Sequence, residues 1–277
     1  MRPRELSRSI ALLAARTPTL LPATHTNSYA LGTREVLLVE PATPYEDEQR
    51  EWLTWARSLA TAGRRVVAIV ATHHHPDHVG GVSEFTRALD VPLWAHGETA
   101  SRIDAPVARR LDDGDAIALD GVVPETWQVL HTPGHAPGHI CLWNEDERAL
   151  VVGDMVASVG TILIDPVDGD MRVYLQQLDR LARLDAGLAL PAHGEPIDEP
   201  TELFRKYIAH RLMREAKILN VLAARRAAGA EAPTAEDILP DVYGDVAVTA
   251  WPAALLSLQA HLKKIDDDRR AARPDAS

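Results

Sequence analysis

The sequence predicts an α/β protein in which stacked strands and helices are followed by a small helical domain. Three observations lead there. Short apolar, β-branched runs alternate with helical patterns over the first two hundred residues; several of those runs stop at a histidine or aspartate beside glycine or proline; and the composition shifts at the acidic, proline-bearing stretch 196–200. Alternation of this kind builds layered folds, because each sheet face and helix stripe must find an apolar partner.

Taken in order, strands are expected at 35–39, 65–71, 127–130, 139–143 and 149–152. Helices are expected at 46–61, 82–89 and 171–184, where apolar residues recur at three- and four-residue spacing, with Gly63 and Gly187 as stop signals. Segment 104–120 reads as a turn and short hairpin, and it lacks the spaced acids and closing glutamate of a calcium loop. A long helix follows from 201 to 228, ended by Gly229, with Phe204, Ile208, Leu212, Leu219 and Ala223 expected to bury one face. Thr234 and Asp237 mark another helix start, a last helix is expected at 252–265, and 266–277 reads as a solvated tail. The expected division is a larger α/β domain at 1–199 and a helical domain at 200–277.

The chain has 277 residues, 46% of them hydrophobic, enough for one large core and an appended module. Its formal net charge of −11 argues against a generally electropositive nucleic-acid binder. Arg205, Lys206, Arg211, Arg214 and Lys217 nevertheless cluster in one stretch, either a solvated helix face or a local basic patch. The single cysteine, Cys141, rules out an intrachain disulfide and fits a cytoplasmic setting; core packing is its expected role. The first residues mix arginines with a short apolar run, but Arg16, Thr17 and Pro18 interrupt it, so neither a leader peptide nor a membrane span is expected.

Directly after the apolar run at 65–71 come His73, His74, His75, Asp77 and His78. Imidazole and carboxylate are the ligands of first-row metals, and burying so many imidazoles without a cation would leave their polar nitrogens in need of partners. This cluster is too small for two tetrahedral ions, so further ligands should close later strands. His135 in the run HTPGHAPGH, Asp154 after VVG and His193 in PAHG occupy such places. If the first cluster is extended, His74 points away from its neighbours and is expected on the substrate side or supporting the ligands from behind, not among them. His139 is expected to support the ligands by hydrogen bonding, and His25 and His96 carry no spacing signal.

In these residues the chain resembles the metallo-β-lactamase superfamily, whose signature H-x-H-x-D-H is followed by a histidine, an aspartate and a histidine at strand ends; the likeness covers about residues 20 to 200. The resemblance implies a four-layer αββα sandwich in which His73, His75 and His135 bind one divalent ion, Asp77, His78 and His193 a second, and Asp154 bridges both. Zinc is the implied metal, with iron and manganese as alternatives. At Glu40-Pro41, where members often carry an acidic residue followed by glycine, Glu40 is acidic but proline stands in place of the glycine.

The C-terminal segments around His210 and His261 resemble the lactamase-beta-2-like branch, which implies a winged-helix-like module; His210 is expected on the substrate side or supporting the site by hydrogen bonding. The THHH and HTPGHAPGH runs are also similar to glyoxalase II, whose tyrosine and lysine pattern is missing here. Two ions about 3.5 to 4 Å apart would share a bridging hydroxide, with Asp77 orienting it and moving its proton. The expected activity is hydrolysis of a thioester or ester, on a small-molecule or carrier-bound acyl substrate. The alternatives are cleavage of single-stranded RNA and a metal-binding scaffold without activity. The sequence does not state an oligomeric state.

Overall fold

The computed structural model describes residues 2–229 and 233–272. The chain forms two compact units, the first built from residues up to 132, 136–161 and 185–200, the second from 133–135, 162–184 and 201 onward.

Seven strands make the first sheet in sequence order: β1 (Arg4–Glu5), β2 (Ile10–Arg16), β3 (His25–Leu31), β4 (Glu35–Val39), β5 (Arg65–Val70), β6 (Leu93–Ala95) and β7 (Val107–Arg110). β1 to β4 are antiparallel neighbours, and β4 to β7 run parallel. Parallel neighbours need crossovers. The helix α1 (Glu46–Thr61) supplies one, and α2 (Pro76–Val79) with α3 (Val82–Leu89) supplies the next; the short α4 (Gly97–Ala100) lies between β6 and β7. The second sheet has the order β13-β12-β11-β10-β9-β8, from β8 (Ala116–Leu119), β9 (Glu125–His131), β10 (Ile140–Asn144), β11 (Ala149–Gly153), β12 (Leu188–Pro191) and β13 (Ile197–Asp198).

Strand alternation gives the first sheet two apolar faces. Its inner face, with Leu12, Tyr29, Leu37 and Val70, packs on Trp127, Leu142, Val151 and Leu190 of the second sheet. Its outer face, with Leu13, Leu38 and Ile69, is covered by Trp52 of α1 and Phe85 of α3, whose rings stack at 3.9 Å. Truncating a fully buried Phe85 to alanine costs on the order of 3–5 kcal/mol, so the packing of α1 and α3 on Ile69 supports β5, from whose end the histidine-rich loop departs.

Two sequence expectations change here. The N-terminal apolar run is β2, an interior strand paired with β1 and β3. Segment 104–120 is not a hairpin: β7 closes the edge of one sheet and β8 the edge of the other. Leu111, fully buried in the core between the sheets, anchors the crossing.

The second unit holds α5 (Met171–Ala182), α6 (Thr201–Ala227), α7 (Ala235–Tyr243) and α8 (Trp251–Ala271). Asp170 caps α5 by accepting from the Arg172 and Val173 amides, and Thr234 with Asp237 forms a reciprocal capping box on α7. Ile218, Ile238, Val242, Leu258 and Ile265 form its core. Residues 171–182 belong to this unit, on the far side of the expected division, because Arg172 pairs with Asp268 and Asp170 with Lys263 of α8. α8 also continues through 271, so 266–271 are helical where a tail was expected; 273–277 lie outside the described residues.

The buried face of α6 differs from the expected stripe. Phe204, Arg211, Arg214 and Ile218 are buried, whereas Leu212 and Leu219 are 48% and 39% exposed. Among the described residues, no helix is long and apolar enough to cross a membrane.

Candidate metal centre

Four backbone segments of the first unit, at Glu40, 72–78, Asp154 and His193, bring ligand types together, each at the C-terminal end of a strand. After β5 the chain bends at 72–73, and Pro76, which needs no amide partner at the first position of a helix, starts α2. The turn folds Asp77 and His78 back toward His73 and His75. His73 Nε2 and His75 Nδ1 lie 3.0 Å apart, and the His73 and His78 rings are 3.9 Å apart. Imidazole nitrogens sharing one tetrahedral zinc stand roughly 3.3 Å apart, given bonds of about 2.0–2.1 Å. The His74 ring lies 6.5 Å from that of His73 and 4.8 Å from that of His75.

His78 is fully buried, and among the described residues neither of its ring nitrogens completes a hydrogen bond. Nδ1 lies 3.2 Å from Glu40 Oε1, and Nε2 lies 3.6 Å from Asp154 Oδ1 and 3.9 Å from Asp77 Oδ2. His193 Nε2 approaches the same two acids, 3.5 Å from Asp77 and 3.4 Å from Asp154. Ligand atoms of Asp77, His78 and His193 all lie within 4.8 Å of one another.

The electrostatics ask for a cation here. Burial opposes a proton on His78, yet Glu40, Asp154 and Asp77 outweigh it and hold the imidazole well above its ordinary pKa. His193 is raised by Asp154 against the same burial, and Asp154, whose charge burial disfavours, is held well below the usual carboxylate range by His193 and His78. Deprotonated imidazoles would leave buried carboxylates uncompensated, and a divalent ion supplies the missing charge while using the lone pairs. The residues therefore fit a divalent metal.

Each ligand is held from behind. Glu40, buried at the end of β4 with φ +63°, accepts from Thr72 Oγ1 and faces His78. Its own carbonyl accepts from Ser28, which in turn accepts from Trp52 Nε1 at 2.8 Å. His193 Nδ1 donates to the His25 carbonyl at 3.0 Å, which puts the ring's lone pair on Nε2, 3.4 Å from Thr19 Oγ1. Asn27 donates to the carbonyls of Pro191 and Gly194 on either side of His193. His139 is fully buried; its Nε2 accepts the Asp154 amide at 3.0 Å, which puts the ring proton on Nδ1, 2.8 Å from Thr132 Oγ1. Thr132 lies 3.3 Å from Cys141 Sγ, so the buried thiol joins a chain of polar contacts that ends on the Asp154 backbone.

His135 is 6% exposed and sits in the turn 133–135 of the second unit, with Thr132 and Ala136 on either side belonging to the first. Its Nδ1 donates to the Leu163 carbonyl at 2.9 Å, which puts the ring's lone pair on Nε2. Gly134, at φ +128°, is required: a Cβ there would lie 2.4 Å from the Tyr174 nitrogen. His210 is exposed on α6. Of the basic stretch beside it, Arg211 reaches the Ile162 carbonyl, and Arg214 pairs with Asp245 at 2.7 Å, as Lys217 does at 3.3 Å. Arg205 and Lys206 remain exposed.

Sequence reasoning gives Glu40, Thr72, His25 and Cys141 no part in the site. Glu40 stands out there only as the acidic residue of a pair whose second member, Pro41, departs from the pattern, and its place at a strand end is the available signal. His96 caps α4 by accepting the Glu98 amide and stacks on His131 at 4.0 Å.

A two-sheet sandwich whose strand ends gather histidine and aspartate around a cation-demanding pocket is the architecture of a metal-dependent hydrolase. The chain belongs to the metallo-beta-lactamase superfamily, whose model matches residues 21–193, and residues 234–277 match the beta-lactamase associated winged helix domain. It is similar to a protein named Beta-lactamase-like protein 2 homolog from Caenorhabditis elegans, 32% identical over 98% of this chain and 88% of that protein. It is also similar to an atrochrysone carboxyl ACP thioesterase from Aspergillus chevalieri, 29% identical over 89% and 77% of the two chains. Among solved structures, a metallo-beta-lactamase family protein from Thermus thermophilus superposes with a TM-score of 0.75, at 26% identity and 95% coverage of both chains.

Proposed function

We propose that this protein hydrolyses a thioester or ester of an acyl substrate, using two divalent ions, zinc by preference. His73, His75 and His135 would hold one ion and Asp77, His78 and His193 the other, with Asp154 between them. The observation that carries the reading is the direction of the lone pairs. The His25 carbonyl takes His193 Nδ1–H and the Leu163 carbonyl takes His135 Nδ1–H, which puts the lone pair of each ring on Nε2, and His78, with Glu40 3.2 Å from its Nδ1, turns its Nε2 toward Asp154 and Asp77.

When bound, such ions lower the pKa of water and polarise a carbonyl oxygen. The chain's own residues do the rest. Asp77, 16% exposed in its side chain beside a wholly buried His78, is the carboxylate open to incoming water and substrate, and it would take the water proton and deliver it to the departing thiolate or alkoxide. Asp154, anchored through His139, keeps its position while charge develops. Similarity to the Aspergillus protein named atrochrysone carboxyl ACP thioesterase supports the choice of a thioester. RNA cleavage loses its main support, since Arg211 and Arg214 are buried and paired within their own unit.

The test is a panel of acyl thioesters and single-stranded RNA offered to protein of measured metal content. Chelator-sensitive thioester turnover without RNA cleavage is the expected result. RNA cleavage with no acyl turnover overturns the reading, as does a pure protein that takes up no divalent metal.

A further inference from the structure

We propose that the exposed face of α6 is the contact surface for a second copy of this chain, packed antiparallel on the same helix. Leu212 and Met213 are each 48% exposed and Leu219 is 39% exposed, while Ala209, Ala216 and Ala223 are exposed beside them. The alanines recur every seven residues, and Leu212 and Leu219 each stand three residues after one of them, which is the spacing of a helical seam. This face does not seat α6 in its own unit, because Phe204, Arg211, Arg214 and Ile218 do that from another side.

The occupant follows from how the face complements itself. Its first row is Glu202, Ala209, Ala216 and Ala223; its second is Arg205, Leu212, Leu219 and Arg226. An antiparallel copy centred on residue 214 sets every member of one row against a member of the other. Glu202 meets the partner's Arg226, Ala209 the partner's Leu219, Ala216 the partner's Leu212, and Ala223 the aliphatic stem of the partner's Arg205, with each pair repeated by the two-fold axis. Alanine lets the backbones approach and leucine fills the space. The helix dipoles oppose favourably, and opposite charges meet at both ends. Parallel pairing in register would set Glu202 on the partner's Glu202 and Arg226 on the partner's Arg226. Met213 falls beside the axis against the partner's Met213. Glu215 is turned to its own Lys264 at 2.8 Å, so like charges do not meet there.

Sedimentation of the full chain at tens of micromolar should give twice the chain mass, and the double variant L212E/L219E should give the chain mass with an unchanged circular dichroism spectrum. Cross-linking supplies an independent reading. Oxidation should join M213C to itself, and should join A209C to L219C in a mixture, but should leave A209C alone unjoined. A wild-type monomer, a dimer that survives both glutamates, or ready self-linking of A209C would each overturn the proposal.

Discussion

Glu40 shows how one buried carboxylate can set the chemistry of a neighbour that it does not resemble in sequence. It lies 3.2 Å from His78 Nδ1, is itself held by Thr72, and keeps the imidazole turned so that Nε2 faces Asp77 and Asp154. Partners of this kind are worth about 10- to 100-fold in metal affinity. Glu40→Gln preserves the shape but removes the charge, so competition with a chromogenic chelator should show one ion weakened by about that factor and the other little changed. Equal weakening of both would place Glu40 outside the support of His78. Reading this residue from sequence failed for a physical reason: its partners lie 32 and 38 positions away, and only the parallel pairing of β4 with β5 brings them beside it. His73, His75, Asp77 and His78 were legible because they share one loop.

At the scale of elements, the helices at 46–61 and 82–89 and the strand at 35–39 were legible because each carries a regular apolar period. β3 was not, because its centre is Thr26, Asn27 and Ser28, polar residues that are buried and bonded to Thr17, to the backbone around His193 and to Glu40. A site-supporting strand thus loses the signal that would identify it. The same economy of space acts at the end of β11, where Gly153 has φ +47° and a Cβ would come within 2.5 Å of His139 Nε2. Gly153→Ala should push His139 off the Asp154 amide, at a cost of about 1–3 kcal/mol for the lost bond and a similar amount for backbone strain. Urea midpoints of the two proteins would measure the sum, and a variant as stable as the parent would show that the β10 and β11 ends are not locked together.

Over the whole molecule, stability should depend on metal and on pH in separable ways. An ion that binds only the folded chain adds about 4 kcal/mol at a thousand times its dissociation constant, so chelation should lower the melting temperature. The pH term has its own source in Glu125, at the start of β9, whose pKa burial and the nearby Glu147 push up to about 7. The folded protein therefore holds this proton more tightly than the unfolded chain. Its contribution is complete below the ordinary glutamate value, falls as pH rises, and is gone once pH has passed the folded value. His78 and His193 are also raised, so the pH dependence of the wild type alone does not isolate Glu125. Glu125→Gln removes only this proton. The loss in urea midpoint between pH 5 and pH 8 should be smaller in E125Q than in the wild type, both holding metal, and the difference between those two losses belongs to Glu125. Equal losses would mean that Glu125 ionises as freely in the folded sandwich as in the unfolded chain.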